Sequence, residues 1–450
     1  MKRKSSFIVA GMLTSLAISN TLPVLSIDIH AEDDSKQCAV IVGKEDTKYK
    51  TISEAVKKAS ANDTIKVYPG VYSEKINISK NNLKIVGEDG AIIGNAENKQ
   101  TVKPNEDGEA LLQIKGENIE ISNLEFANFK LSGPSDSVCP KAIDIDGSSN
   151  HITISNCKVH DIGAVYTKNS EEYNAHGIIA GANPSKPITD VTITGCELYN
   201  LTLGQSEALV VNGNVDKFNI TKNYIHDCDN IAIDAIGYER DKNNEKDRAH
   251  NGEISENTVI NISSKDNVAY GGDISAGGIY VDGGYDINIH DNYVQGADIG
   301  IEVSSEHRKK TVSGVKVYDN VLVNNNGWAG ICIGGSDPSE NGDAANNQIY
   351  NNTVYNTKNA CLRIQNAHDK NNLIQKNIFI ATDSAKAYSE ECGKNSSGNT
   401  VNQNMTNAKM SANGNSTFKL KAANMTNMTL EIVSSDDLSG YGASRTKFVN

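Results

Sequence analysis

The chain has 450 residues, few aromatics (6%) and a formal net charge of −13. That charge excludes a surface that tracks nucleic-acid phosphates and disfavours anionic membranes. With 37 glycines it favours many short strands and turns over one large aromatic core, and its length suits a single long repeat as well as separate domains.

Residues 1–31 read as an export signal. Lys2, Arg3 and Lys4 form a basic head, an apolar run occupies 7–18, and Ala31 offers a small residue for cleavage before Glu32-Asp33-Asp34. Thr14 and Ser15 interrupt the run, which favours removal over anchoring. No later segment has the roughly 18 apolar residues of a spanning helix. The expectation is a secreted protein without stable membrane insertion. The eight cysteines include no CxxC pair, which argues against a zinc ribbon. Several occupy interior repeat positions, where a thiol packs as a small hydrophobe.

Residues 32–100 are read as an N-terminal cap and first coils. Ile52, Ala55, Val56 and Ala59 have helical spacing, with Thr51 or Ser53 to cap the start. Short strands follow in DTIKVYPGVYSEKI (63–76) and LKIVGE (83–88). Together with TISEAVKKA (51–59), these phrases resemble the opening of secreted right-handed parallel β-helix proteins, the pectate-lyase-like group. The resemblance implies an all-β, single-stranded right-handed parallel β-helix whose open end is plugged by an N-terminal capping helix.

Residues 101–400 repeat at about 25 to 39 residues. One phrase recurs as ITISNCKVHD (152–161), FNITKNYIHD (218–227), INIHDNYVQG (287–296) and NQIYNNTVYN (347–356). Alternate apolar residues mark strands with one face inward. The residue after each strand forms a column: Cys157, Cys196, Asn223, Asn257, Asn292, Asn320, Asn352 and Asn377. Stacked Asn amides can bond the coils above and below. Residues 401–450, with Phe418-Lys419-Leu420, leave the repeat and are read as a C-terminal cap or tail.

A second phrase precedes each of these strands. Ile231-Ala232-Ile233-Asp234 is aligned with Ile279-Tyr280-Val281-Asp282, and then with Ile301-Glu302-Val303-Ser304. Alternation sends the second and fourth residues outward. Asp234 and Asp282 then share a column about 4.8 Å apart, and Glu302 lies diagonally at about 8 Å. Paired carboxylates at such spacings are what glycosidic hydrolysis requires, and repulsion within a pair keeps one protonated. Asp282, Glu302 and Asp234 are therefore the candidate catalytic residues. Gly277-Gly278 and Gly283-Gly284 clear space around Asp282, and insertions at 238–248 and 263–275 can wall a cleft.

Tyr280, Glu306, His307, Arg363 and Asp241 are candidate substrate-binding residues, and His176 can face the upper end of the cleft. Tyr280 offers a ring to a sugar, and Arg363 a fork to a uronic carboxylate. Some β-helical glycosidases, among them β-xylosidases and lacto-N-biosidases, are similar in using two acids on the outer sheet. The leading expectation is a secreted carbohydrate-active enzyme, a glycoside hydrolase acting on a polysaccharide or oligosaccharide and requiring no cofactor. A stack of acids can also bind Ca²⁺. One alternative is a polysaccharide lyase acting on a uronate-containing glycan, although no Lys occupies the outward columns of the middle coils. The other is a non-catalytic glycan-binding or adhesion protein, because this fold serves many functions.

Overall fold

The computed structural model describes residues 39–43, 47–95, 101–102, 110–131, 138–164, 174–390, 398–433 and 437–449. The export signal read at 1–31 lies outside them, as do Cys38 and Cys392. Among the described residues, strands form three long sheets of 15, 14 and 11 strands. All of their ladders are parallel, and each coil sends one strand to each sheet. The chain is a parallel β-helix.

The middle coils show how the sequence makes this. In Tyr285–His290 the apolar Ile287 and Ile289 are fully buried while their neighbours are open to solvent. The residue after each first-sheet strand then takes a left-handed conformation: φ is 58° at Lys222, 57° at Glu256 and 55° at Asp291. This sharp bend carries the chain into the second sheet with only one ladder residue between strands.

That ladder residue is Asn in coil after coil. The Asn257 side-chain amide donates to Ile220 O (2.9 Å) and to Asn292 Oδ1 (3.0 Å), and Asn292 Oδ1 also accepts the Asn257 backbone N–H at 3.0 Å. The same pattern links Asn223 through Asn292, Asn320, Asn352 and Asn377 to Asn404 and Asn415. Backbone groups left open by the bend are thereby satisfied inside the core. At the upper end Cys196 stands in the column, and its N–H donates to Asn223 Oδ1 at 2.9 Å. A second ladder joins Asn347, Asn372 and Asn399. Of the six described cysteines, all but Cys139 are buried.

A seven-residue helix, Ile52–Lys58, forms near the N-terminus. Thr51 Oγ1 accepts the Glu54 N–H at 3.2 Å, and the Glu74 carboxylate accepts those of Ile52 and Ser53. It buries Ile52, Ala55 and Val56 in the main core.

The C-terminal region differs from its sequence reading in two respects. Coils continue past 400, with strands Thr400–Val401, Met405–Thr406 and Ser416–Thr417 still in the long sheets. Beyond them, Leu420–Asn424, Thr429–Ile432 and Lys447–Val449 form a small separate sheet. Phe418, Leu430 and Ile432 pack on Val321, Val323, Ile378 and Ile380, the outer face of the second sheet. The tail therefore lies along the flank of the coils. Arg445 and Ser444 fasten it by donating to Asn292 O and Asp319 Oδ1.

Candidate active site

The third sheet carries the candidate acids. Its relevant strands are Lys141–Asp146, His176–Gly181, Leu209–Asn212, Ile233–Ile236, Gly277–Asp282, Ile299–Ser304, Ala329–Ile333 and Ala360–Ile364. Their register corrects the sequence alignment at one strand. Asp234 pairs with Tyr280, and Ile233 with Ile279. Tyr280 pairs with Glu302, and Asp282 with Ser304.

The outward column is thus Asp144, Ile179, Val210, Asp234, Tyr280, Glu302, Cys332 and Arg363. Asp234 and Asp282 do not share it, as the sequence had aligned them. The error is a slip of two residues, which preserves the inward–outward alternation and so leaves the burial pattern unable to reveal it. Asp282 is instead diagonal to both Asp234 and Glu302, one coil and two residues from each, or about 8 Å between backbones.

A cleft runs over this face in two lobes. The first, about 800 Å³, is lined among others by Lys141, His176, Glu207, Asn212, Asp234, Glu239, Asp282 and Glu306. The second, about 270 Å³, is lined by Tyr280, Glu302, Ser304, Trp328, Asn341 and Gln365 among others. The lobes meet at Ile231, Tyr270, Asp273 and Glu306. The 263–275 insertion supplies Tyr270, Asp273 and Ser275 to the wall, and the 238–248 insertion supplies Glu239.

Burial and mutual repulsion govern the acids. Asp234 and Asp282 are 2% and 3% exposed. Asp234 is held well above the ordinary carboxyl range by burial, then by Glu207, Asp282 and Glu306. Asp282 is raised likewise by burial and Glu306, against the pull of the Glu306 N–H, which donates to Asp282 Oδ1 at 2.6 Å. Glu302, partly buried, is pushed up to about 8 by burial and Glu306, and Arg363 moderates the rise. Glu306 itself opens into the cleft, yet surrounding protein and Glu239 raise it too.

The other sequence candidates divide. Tyr280 lies buried in the column between Asp234 and Glu302, with its edge on the second lobe. His307 Nε2 lies 3.4 Å from a Glu239 carboxylate oxygen. Arg363 sits under Trp328, its guanidinium carbon 4.5 Å from the ring centroid. Asp241 does not line either lobe: its N–H donates to Asp247 and its Oδ1 accepts the Asn243 N–H. His176 lines the upper end, where burial and Lys141 lower it to about 3 and keep the ring neutral.

Glu207 and Trp328 are among the lining residues that escaped the sequence reading. Glu207, raised to about 8 by burial and the charges of Glu306 and Glu239, lies 3.4 Å from His176 Nδ1. Trp328 is the chain's single tryptophan and is 39% exposed. Strict alternation hides Glu207. Ala208 and Leu209 both belong to the core, as do Ala142 with Ile143 and Ala232 with Ile233. Two successive inward residues turn the preceding one outward. A small residue at that phase in several coils was the available signal. Among the described residues, no group of three or more His, Cys, Asp or Glu side chains is arranged to hold a metal ion, and no helix is long and apolar enough to cross a membrane.

The family model of the right-handed β-helix region matches residues 141–342, a span that holds most of the cleft. The uncharacterized Bacillus subtilis (strain 168) protein YwoF is 35% identical over 378 residues, covering 81% of this chain and 77% of its own. Among solved structures, the GH136 lacto-N-biosidase from Eubacterium ramulus has a TM-score of 0.58 at 12% identity, over 84% of this chain and 67% of that one. The PL6 family alginate lyase AlyGC has a TM-score of 0.51 at 13% identity, over 90% of this chain and 57% of that one. At such identities the likeness is one of fold.

Proposed function

Since the chain belongs to the right-handed β-helix family, with YwoF as a relative, we propose that it is an exported glycoside hydrolase working in the cleft of the third sheet. One observation carries the proposal. Asp282 and Glu302 sit diagonally on adjacent coils, one facing each lobe, with the Glu306 turn between them. Their backbones lie about 8 Å apart, from which the two carboxyl groups can reach the separation of about 6.5–9.5 Å that inverting hydrolysis uses to fit a water beside the sugar.

In this reading Glu302 is the acid. Its pKa of about 8 keeps the proton at neutral pH for donation to the leaving glycosidic oxygen. Asp282 is the base: it takes a proton from the water whose oxygen bonds to the anomeric carbon as the old C–O bond breaks. Burial and the Glu306 charge raise Asp282, and the Glu306 N–H, donating to Asp282 Oδ1, offsets part of that rise toward the ionised form a base needs. The saccharide lies across both lobes, with Trp328 as a platform in the second. No metal enters these steps. The same reading has residues 1–31 direct export and the Ile52–Lys58 helix close the end of the first coils.

The lyase alternative gains support from AlyGC by name and from Lys141 and His176 at the cleft's upper end. That pair is separated from Asp282 by the coils of Glu207 and Asp234, however, and the acids between would repel a uronate. The test is a glycan panel with and without chelator, read for reducing ends and for absorbance of an unsaturated product. Chelator-insensitive reducing ends without unsaturation, lost in Asp282→Asn and Glu302→Gln, are expected. Unsaturated product would establish a lyase, and binding without cleavage a glycan-binding protein.

A further inference from the structure

The first lobe is built to accept hydrogen bonds and positive charge. Glu207, Asp234, Glu239, Asp273, Asp282 and Glu306 all line it. Of the nearby cations, Lys141 pairs with Asp144 outside this set at 3.2 Å, and His307 contacts one of these acids, Glu239, at 3.4 Å. Arg240 lies over Gly181 at the rim and acts on Glu239. His176 is neutral. Among the described residues no cation pairs with Asp234, Asp282 or Glu306.

A second observation is independent of this charge. Asp234 is 2% exposed, lines the lobe, and its Oδ1 accepts no hydrogen bond from the protein. Asn212 Oδ1, on the same wall, is also buried without a donor. Leaving buried oxygens unpaired costs free energy that a ligand's donors recover.

We infer that the first lobe is a subsite for a sugar carrying a free amine, of the glucosamine type. An ammonium brings three donors, no acceptor and the missing positive charge. An N-acetyl group brings one donor and an acceptor, and a uronate brings only acceptors and more negative charge. Burying unpaired carboxylates is costly, so the empty lobe holds protons that an ammonium displaces. This deepens the hydrolase reading and rests on it for the cleft being a glycan site.

Calorimetric binding of glucosamine oligomers, their N-acetylated counterparts and oligogalacturonates, at pH 7 in two buffers of different ionisation enthalpy, tests the inference. The free-amine oligomer should bind at least about tenfold more tightly than the acetylated one, with proton release. Asp234→Asn, which keeps the shape, should reduce that preference to about twofold or less. Equal binding of acetylated or uronic oligomers overturns the inference. So does a preference that survives in Asp234→Asn, since it then reflects only attraction to a chain of net charge −13. The two readings fail separately. Cleavage of acetylated oligomers without amine preference leaves the hydrolase standing and removes the amine subsite, whereas amine-selective, proton-releasing binding without cleavage does the reverse.

Discussion

The Glu306 backbone N–H donates to Asp282 Oδ1 at 2.6 Å, so the turn after one strand of the third sheet is tied to the carboxyl of the strand before it. This single bond links the proposed base to one of the residues at which both lobes meet. It also separates two substitutions. Asp282→Asn keeps an oxygen for Glu306 and loses the base, so kcat should fall by about 10²–10⁴-fold with unfolding free energy changed by less than about 1 kcal/mol. Asp282→Ala strips the turn of its acceptor and should destabilise by about 1–3 kcal/mol. Urea unfolding beside initial rates checks both, and full activity in the Asn variant would remove Asp282 from the mechanism.

Glu302 should set the alkaline limit of activity. The acid must hold its proton, and burial with Glu306 nearby moves its pKa from the ordinary 4.5 to about 8. Activity should therefore decline as pH rises through about 8. Asp282 works in the opposite sense, because it must lose a proton to act as base. Arg363 moderates the Glu302 shift, so Arg363→Gln should move the alkaline limb upward. A kcat/KM profile of the two proteins decides this, and a limb that stays in place with Arg363 gone would assign it to another group.

Glu207 predicts a pH-dependent stability difference. Its folded pKa of about 8 exceeds the ordinary 4.5, and the facing His176 remains neutral through this window. Between these values the folded state keeps a proton that the unfolded chain has lost, so this group's contribution to stability falls as pH rises, and it is flat outside the window. Glu207→Gln should match the native chain at pH 4 and exceed it at pH 9 by about 2 kcal/mol. Equal unfolding free energies at both pH values would show that Glu207 carries no such strain.

Asn320 tests the ladder. Its amide donates to Ile289 O and Asn352 Oδ1, and its Oδ1 accepts both Nδ2 and N–H of Asn292. Asn320→Ala orphans several of these buried groups at once and should cost about 3 kcal/mol or more, measured by urea unfolding. An ordinary surface-like loss below about 0.5 kcal/mol would show that the column is packing rather than hydrogen bonding.

The fold was legible because its two signals do not depend on distant context. Alternation in strands such as Tyr285–His290 sets the inward face, and the Asn column marks the bend. The site was legible only in part. Asp282 and Glu302 lie on strands with the same Gly-Ile-x-Val phrase, which fixes their register; Asp234 lies on a strand whose Ile-Ala-Ile-Asp can be slid by two residues without disturbing its inward face. Glu207 was invisible to a period of two because Ala208 and Leu209 both face the core. The tail's docking depends on outward residues such as Val321 and Ile378, which look like ordinary members of short apolar strands until something covers them.

Trp328 offers a direct reading of the second lobe. It is the chain's single tryptophan, 39% exposed, and lines the lobe with Glu302. The Arg363 guanidinium stands 4.5 Å from its ring centroid and helps fix the ring's orientation. A sugar bound across the cleft would lie against this indole, so glycan titration should quench or blue-shift the intrinsic fluorescence saturably. Trp328→Ala should weaken binding about tenfold through lost stacking area. Because the ring touches sugar but transfers no proton, KM should carry the loss and kcat should change by less than about threefold. A substrate that is turned over at saturation without any change in Trp328 emission would place the bound saccharide elsewhere than the second lobe.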